Sequence, residues 1–222
     1  MIIGRGLIAT SLEKLNTEGI VYFASGVSNS LETKNSEFER ELSLLTESIH
    51  HHKDCRLVYF STLSVNDQSK KDSPYVLHKL KMEDFIRENS QDYLILRIGN
   101  IVGKGGNPNT LFNFLKSRIS GGLPFVLHKK AKRTLVDIDD IPQFFNSECR
   151  HLSNQTIDFS YPYHYSLNEI IEAMQKKLGQ KAIYEETDEG DFYTVDFSSS
   201  VSRYYSGTDA GNYLERLIAK YL

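Results

Sequence analysis

The sequence predicts an α/β protein: a parallel sheet flanked by helices, followed by a small C-terminal lobe. Short β-branched or aromatic runs alternate with longer helical patterns over the first hundred residues, the signature of parallel strands joined by helical crossovers. A glycine turn links the first such run to the first helix. With 222 residues, 40% hydrophobic and 25% charged, the chain can bury a substantial core in one domain or in a domain plus a lobe.

The elements follow in order. Ile2-Ile3 opens the sheet, a helix near 7–17 follows, and the second strand runs from Ile20 to Ala24. A helix near 36–51 leads to a strand from Arg56 to Ser61. Pro74, suited to a first helical turn, starts a helix reaching about Glu88. The apolar run from Tyr93 to Arg97 reads as a buried strand of the same sheet. Beyond Gly103 the pattern loosens into GKGGNPN, a helix near 109–119, the turn GGLP and a short strand from Thr134 to Asp137. Ser166 and Glu169 stand at capping-box spacing, and Gly179 closes the amphipathic helix between them. This divides the chain into a core at 1–155, loop-rich from about 100, and a small lobe with a C-terminal helix at 156–222.

Charge and composition exclude several classes. A formal charge of −3 and scattered lysines give no basic field for a nucleic acid. Cys55 and Cys149 are two isolated cysteines without a CxxC pair, which predicts reduced thiols and no metal site. No apolar run approaches the ~20 residues of a membrane span, and no charged leader precedes the first strand, so the expected location is cytoplasmic. His50, His51 and His52 are consecutive on a helix and point in different directions, so they do not converge on an ion.

The chemistry-bearing residues fall at the ends of the predicted strands. Gly4, Gly6 and Ala9 form a GxGxxA turn in which bare backbone approaches a pyrophosphate. An ordinary tight strand-to-helix turn reads the same way. The acid expected about twenty residues further on, to hold an adenosine ribose, is missing from the segment Tyr22 to Ser30. Thr62 ends the third strand, where α/β sheets place ligands. Tyr75 and Lys79, four apart, share a helix face; an ammonium beside a phenol lowers its pKa and suits it to acid/base work.

These motifs resemble the extended short-chain dehydrogenase/reductases, the NAD-dependent epimerase/dehydratase family acting on nucleotide sugars. IVYFASGVSNS resembles that family's fourth strand, RLVYFSTLSV its fifth with the catalytic Ser/Thr, and SPYVLHKLKMEDFI its YxxxK helix. LILRIGNIVGKGGNPNTLFNFL and RTLVDIDDI are similar to its substrate-contacting stretches, with an Asp of the latter capping the next helix, and SLNEIIEAMQKKLG to a helix of its substrate lobe. The resemblance implies a Rossmann core from which the second and third strands, which cradle adenosine, are deleted.

It further implies a catalytic set of Thr62, Tyr75 and Lys79. Gly4, Gly6, Leu7, Ile8, Ala24, Ser25, Gly26 and Lys79 would contact NAD or NADP, and Asn100 and Arg133 the nucleotide-sugar substrate. The expected activity is that of a nucleotide-sugar epimerase or 4-keto-sugar reductase serving surface polysaccharide biosynthesis; the alternative is a redox-inactive sugar-nucleotide-binding or accessory protein that has lost the adenosine subsite. Leu63 and Ser64 stand where the family's dehydratases carry Asp-Glu, which disfavours elimination of water. The interval from Thr62 to Tyr75 is shorter than the family's usual loop, and His78 replaces a common Ser. Leu42, Leu45 and Ile49, with Leu77, Leu80 and Phe85, permit the family's homodimer and a monomer core equally.

Overall fold

In the computed structural model, which describes residues 1–16 and 18–222, alternate residues of the central strands enter opposite hydrophobic layers. Tyr22, Val58, Leu94 and Leu96 face one helix layer, while Val21, Phe23, Leu57, Tyr59 and Ile95 face the other. That alternation follows from the two-residue period of a pleated strand. Because both faces are covered, every residue has to be apolar or paired, which is why these strands read as continuous apolar runs.

The elements are β1 (Ile2–Ile3), α1 (Leu7–Ser11), β2 (Ile20–Phe23), α2 (Asn35–His51), β3 (Arg56–Thr62), α3 (Pro74–Asn89), β4 (Tyr93–Ile98) and β5 (Asn100–Val102). Then come α4 (Leu111–Ser120), β6 (Phe125–His128), β7 (Lys132–Arg133), β8 (Leu135–Asp137), α5 (Asp140–Phe144) and β9 (Gln155–Phe159). The chain ends with β10 (Tyr165–Ser166), α6 (Leu167–Leu178), β11 (Tyr184–Thr187), α7 (Ser199–Tyr204) and α8 (Ala210–Tyr221).

The main sheet has the order β1-β2-β3-β4-β9, and every pair in it is parallel. Its strand order never reverses, unlike that of a full doubly wound sheet, in which strands extend to both sides of the first. β1 is therefore an edge strand. The fold is Rossmann-like with one half of the sheet absent, as the resemblance implied.

Local departures from expectation have local causes. The first helix is only Leu7–Ser11, followed by turns; Thr17, the last residue of the longer helix expected there, lies outside the described residues. The short strand expected at Thr134–Asp137 is present as β8 and pairs with β5, while the fifth strand of the main sheet is β9, a strand not expected from the sequence. Residue 156 thus lies inside β9, and the chain returns to the main sheet before entering its last helices. α6 is capped as expected: Ser166 accepts the Glu169 N–H at 3.2 Å, Glu169 accepts the Ser166 N–H at 2.7 Å, and Gly179 adopts φ 66°.

The helix residues considered for self-association are used mostly within the chain. Leu45 is fully buried, Leu42, Ile49 and Phe85 pack against the same cluster, and Leu77 is 51% exposed. The C-terminal helix is anchored by buried acids from the β8–α5 turn. Asp140 accepts hydrogen bonds from Tyr213 at 2.7 Å and Tyr205 at 3.2 Å, and Asp137 accepts from Lys220 at 2.8 Å and from Tyr221. The resemblance gave an Asp here the task of capping the next helix. Asp139 stands at the N-cap of α5 but its side chain makes no cap bond, and Asp137 instead accepts the Asp139 N–H at 3.0 Å. No helix is long and apolar enough to cross a membrane among the described residues.

Candidate active site

At the C-terminal ends of β1 to β4 the strands stop and the chain turns away, leaving a cavity of about 680 Å³. Its lining includes Gly6, Leu7 and Ile8 from the glycine turn, Ala24, Ser25 and Gly26 after β2, Thr62 from β3, Tyr75 and Lys79 from α3, and Asn100 from β5. Two expected contacts lie apart. Gly4 does not line it: with φ +132° it makes the tight turn, and a Cβ there would come 2.4 Å from the Ala24 carbonyl oxygen. Arg133 is also outside the lining, its guanidinium donating to the carbonyls of Lys132 at 2.8 Å and Asp191 at 2.9 Å. Arg133 still acts on the cavity wall, because its charge opposes the burial that pushes the Tyr193 phenol up to about 12.

Gly6 is glycine for neither conformational nor packing reasons. Its φ of −81° and ψ of −176° suit any residue, and a Cβ built there meets nothing within 4 Å. The position is open toward the cavity, so bare backbone there leaves room for a ligand to approach.

Tyr75 is 8% exposed. Burial pushes its phenol up to about 12; the Thr62 hydroxyl acts to lower it and the negative charge of Glu41 to raise it. This corrects the expectation that Lys79 lowers the Tyr75 pKa. The reason is that Lys79 already has a partner: its Nζ donates to Glu41 Oε1 at 2.9 Å and to the Tyr59 hydroxyl at 3.0 Å, and stands 5.9 Å from the centre of the Tyr75 ring. Lys79 and Glu41 form a buried ion pair, so little positive field reaches the phenol.

Glu41 is wholly buried and fully used. Besides Lys79 it accepts the Val27 N–H at 2.6 Å and the Tyr59 hydroxyl at 2.6 Å, and lies 3.0 Å from His78 Nε2. Burial acts to raise its pKa, but Lys79, His78, Tyr59 and the Val27 amide together hold it well below the usual carboxylate range. Gly26 closes this arrangement, since a Cβ there would sit 2.5 Å from Lys79 Nζ and 2.9 Å from Glu41 Oε1. An ammonium has three donors, and two are spent here, so one remains for a ligand in the cavity that Lys79 borders.

Thr62 fills two roles at once. Its hydroxyl oxygen accepts the Ser64 N–H at 3.2 Å, capping the turn Leu63–Asn66, and its side chain faces Tyr75. Asn100 donates through Nδ2 to the Thr134 carbonyl at 3.0 Å, at the start of the β5–β8 pair. The glycine-rich loop is held by Asn113, whose Nδ2 donates to the carbonyls of Gly105 and Asn107 at 3.0 Å each.

Solved structures of the same architecture carry bound nucleotides. MoeE5 in complex with UDP-glucose and NAD superposes with TM-score 0.75 at 17% identity, over 99% of this chain and 83% of its own. This chain shares their Rossmann-like fold. A variant of the UDP-glucuronic acid 4-epimerase of Bacillus cereus, in complex with UDP-4-deoxy-4-fluoro-glucuronic acid and NAD, matches with TM-score 0.71 at 18% identity over 96% of this chain and 76% of its own. RMD from Pseudomonas aeruginosa complexed with NADPH gives 0.70 at 14% identity over 99% and 87%. No protein-family model and no curated protein sequence matches the chain.

Within that fold, sequence reasoning found the cavity-lining Thr62, Tyr75, Lys79 and Asn100 but missed Glu41, Arg40, Lys70 and Tyr193. Glu41 carried a signal: it lies on one helical stripe with Leu45 and Ser48, the buried face of α2. An acid on such a stripe requires a buried partner. Arg40, which donates to the Ser25 carbonyl at 3.3 Å, and Lys70, in a turn between β3 and α3, carried no comparable pattern.

Proposed function

We propose that this protein is an NAD(P)-dependent oxidoreductase or epimerase acting on a nucleotide sugar, with Tyr75 as the proton-transferring group. The observation that carries the reading is the convergence of Gly6, Thr62, Tyr75, Lys79 and Asn100 on one cavity at the C-terminal end of a parallel sheet. The NAD, NADPH and UDP-sugar complexes of proteins with this fold give the ligand class.

A nicotinamide in the cavity would give hydride to a sugar carbon or take it away. Tyr75, held protonated by burial, donates its proton to the oxygen that becomes a hydroxyl on reduction. Thr62 donates a hydrogen bond to the same oxygen while its lone pair stays on the Ser64 amide. Lys79 offers its remaining donor to the cavity. A phenol that keeps its proton favours the reducing direction, as in a 4-keto-sugar reductase; epimerisation also requires Tyr75 to accept a proton. Asn100 serves as a substrate contact, and Arg133 acts through its charge on Tyr193. Nucleotide sugars feed surface polysaccharide assembly, and a cytoplasmic enzyme of this kind, alone or as a homodimer, fits that supply.

The commitment of Lys79 to Glu41 favours a second reading, a sugar-nucleotide-binding protein without redox chemistry. The two are separated by titrating the nucleotide-stripped protein with NADH and NADPH, then assaying turnover of UDP-4-keto sugars. On the enzymatic reading Tyr75→Phe still binds nucleotide but loses about 10²- to 10⁴-fold in turnover. Full turnover by Tyr75→Phe would remove Tyr75 from the mechanism, and binding of UDP-sugar without either nicotinamide nucleotide would leave the second reading standing.

A further inference from the structure

The fold raises a question about which part of a dinucleotide this cavity can recognise. A doubly wound sheet holds a dinucleotide with two mononucleotide-binding halves, one on each side of the first strand. Here β1 is the edge of the sheet, and among the described residues no strand pairs with its outer side. The other strands of this sheet that end at the cavity, β2, β3 and β4, all lie on the inner side of β1.

The groups that would hold an adenosine are also missing or occupied. From Phe23 to Leu31 there is no carboxylate to accept hydrogen bonds from a ribose. The first acid after β2 is Glu32, and its Oε1 accepts the N–H groups of Thr33 and Lys34 at 3.0 Å each, an exposed local turn. By contrast, the open Gly6 position, Thr62, Tyr75 and Lys79 lie on the retained half. Two guanidiniums border the cavity near the glycine turn and β2: exposed Arg5, which has no ion pair among the described residues, and Arg40, held by the Ser25 carbonyl and by Glu37 at 3.3 Å. A phosphate on the nicotinamide ribose, a terminal monoester in the mononucleotide or part of a doubly charged pyrophosphate in the dinucleotide, suits such a pair of cations.

Resting on the function proposed above, we infer that the chain recognises only the nicotinamide mononucleotide half of its cofactor, the adenosine half making no contact that contributes to affinity. Reduced nicotinamide mononucleotide and NADH then bind the same site with the same strength. Adenosine, which lacks the phosphate that Arg5 and Arg40 would hold, does not displace either of them.

The test uses the full chain, stripped of nucleotide, titrated separately with the reduced mononucleotide and with NADH while nicotinamide emission is followed, and then with each competing against the other. The expected result is two dissociation constants within about threefold, mutual displacement, and loss of affinity for both in Gly6→Ala, where ~1.4 kcal/mol corresponds to each tenfold change. NADH binding tenfold or more tightly than the mononucleotide overturns the inference and leaves the proposed function intact, because it reveals an adenosine subsite. Displacement of NADH by adenosine overturns it in the same way. Binding of neither nicotinamide nucleotide at millimolar concentration overturns both the inference and the redox function.

Discussion

Replacing Lys79 by methionine removes the counter-charge from a carboxylate that has no route to water. Glu41 is 0% exposed; without the Nζ at 2.9 Å it keeps the Val27 amide, the Tyr59 hydroxyl and His78 but no fixed positive charge. Deleting one partner of a buried pair costs about 3–5 kcal/mol, and the surviving hydrogen bonds put this case near the lower bound. For a chain of this size, ~2–4 °C per kcal/mol translates about 3 kcal/mol into a fall in Tm of roughly 6–12 °C. Glu41→Gln is milder, about 1–2 kcal/mol, because Lys79 borders the cavity and its freed ammonium can turn toward water.

The pH dependence has a definite sign. Glu41 has a folded-state pKa held below its unfolded value, so the pair contributes its full stability above about pH 4.3 and loses it as the pH falls through the folded value. In Lys79→Met the carboxylate takes up a proton more readily, so the variant's deficit narrows on going from about pH 7 toward about pH 5. Urea denaturation of the parent and both variants at the two pH values measures all of this. A Lys79→Met variant within about 1 kcal/mol of the parent near neutrality, or one less damaging than Glu41→Gln, would refute the reasoning.

Two further predictions test the turn and the C-terminal anchor. Gly4→Ala forces a side chain into φ +132° and against the Ala24 carbonyl at 2.4 Å, and should cost about 2 kcal/mol or more by chemical denaturation, whereas Gly6→Ala should stay within about 0.5 kcal/mol of the parent while weakening nucleotide binding. Equal destabilisation by the two would show that Gly6 is there for packing. Tyr213→Phe removes a hydroxyl that accepts the Asp137 N–H at 2.8 Å and donates to Asp140 at 2.7 Å; leaving both buried groups short of a partner should cost about 1–3 kcal/mol, and a thermal midpoint unchanged from the parent would show that α8 is held by apolar packing alone.

Much of the molecule was legible because the signals were periodic or local. The continuous apolar runs IVYF, LVYF and YLIL, flanked by helical patterns, fit a sheet covered on both faces, and they form the bodies of β2, β3 and β4. The α6 helix announced its own ends, since a capping box and a left-handed glycine depend on residues only a few positions apart. Gln155–Phe159 was not read as a strand: with exposed Gln155 at its start and Asp158 paired to Asn66 and Arg97, its apolar content is low, and its place beside β4 is set by the sheet edge.

The site divides along the same line. Sequence alone determined which residue types stand at the strand ends, because Gly6, Thr62, Tyr75 and Lys79 lie in short motifs whose spacing is fixed by one turn or one helix. Only the tertiary structure decided what charge those residues experience. Glu41 reaches Lys79 across 38 positions of sequence and uses up its charge, so burial of the phenol, rather than the four-residue spacing of Tyr75 and Lys79, governs its pKa. It was likewise the sheet order that left β1 at an edge, because hydrogen bonding between strands is a long-range choice that no local pattern encodes.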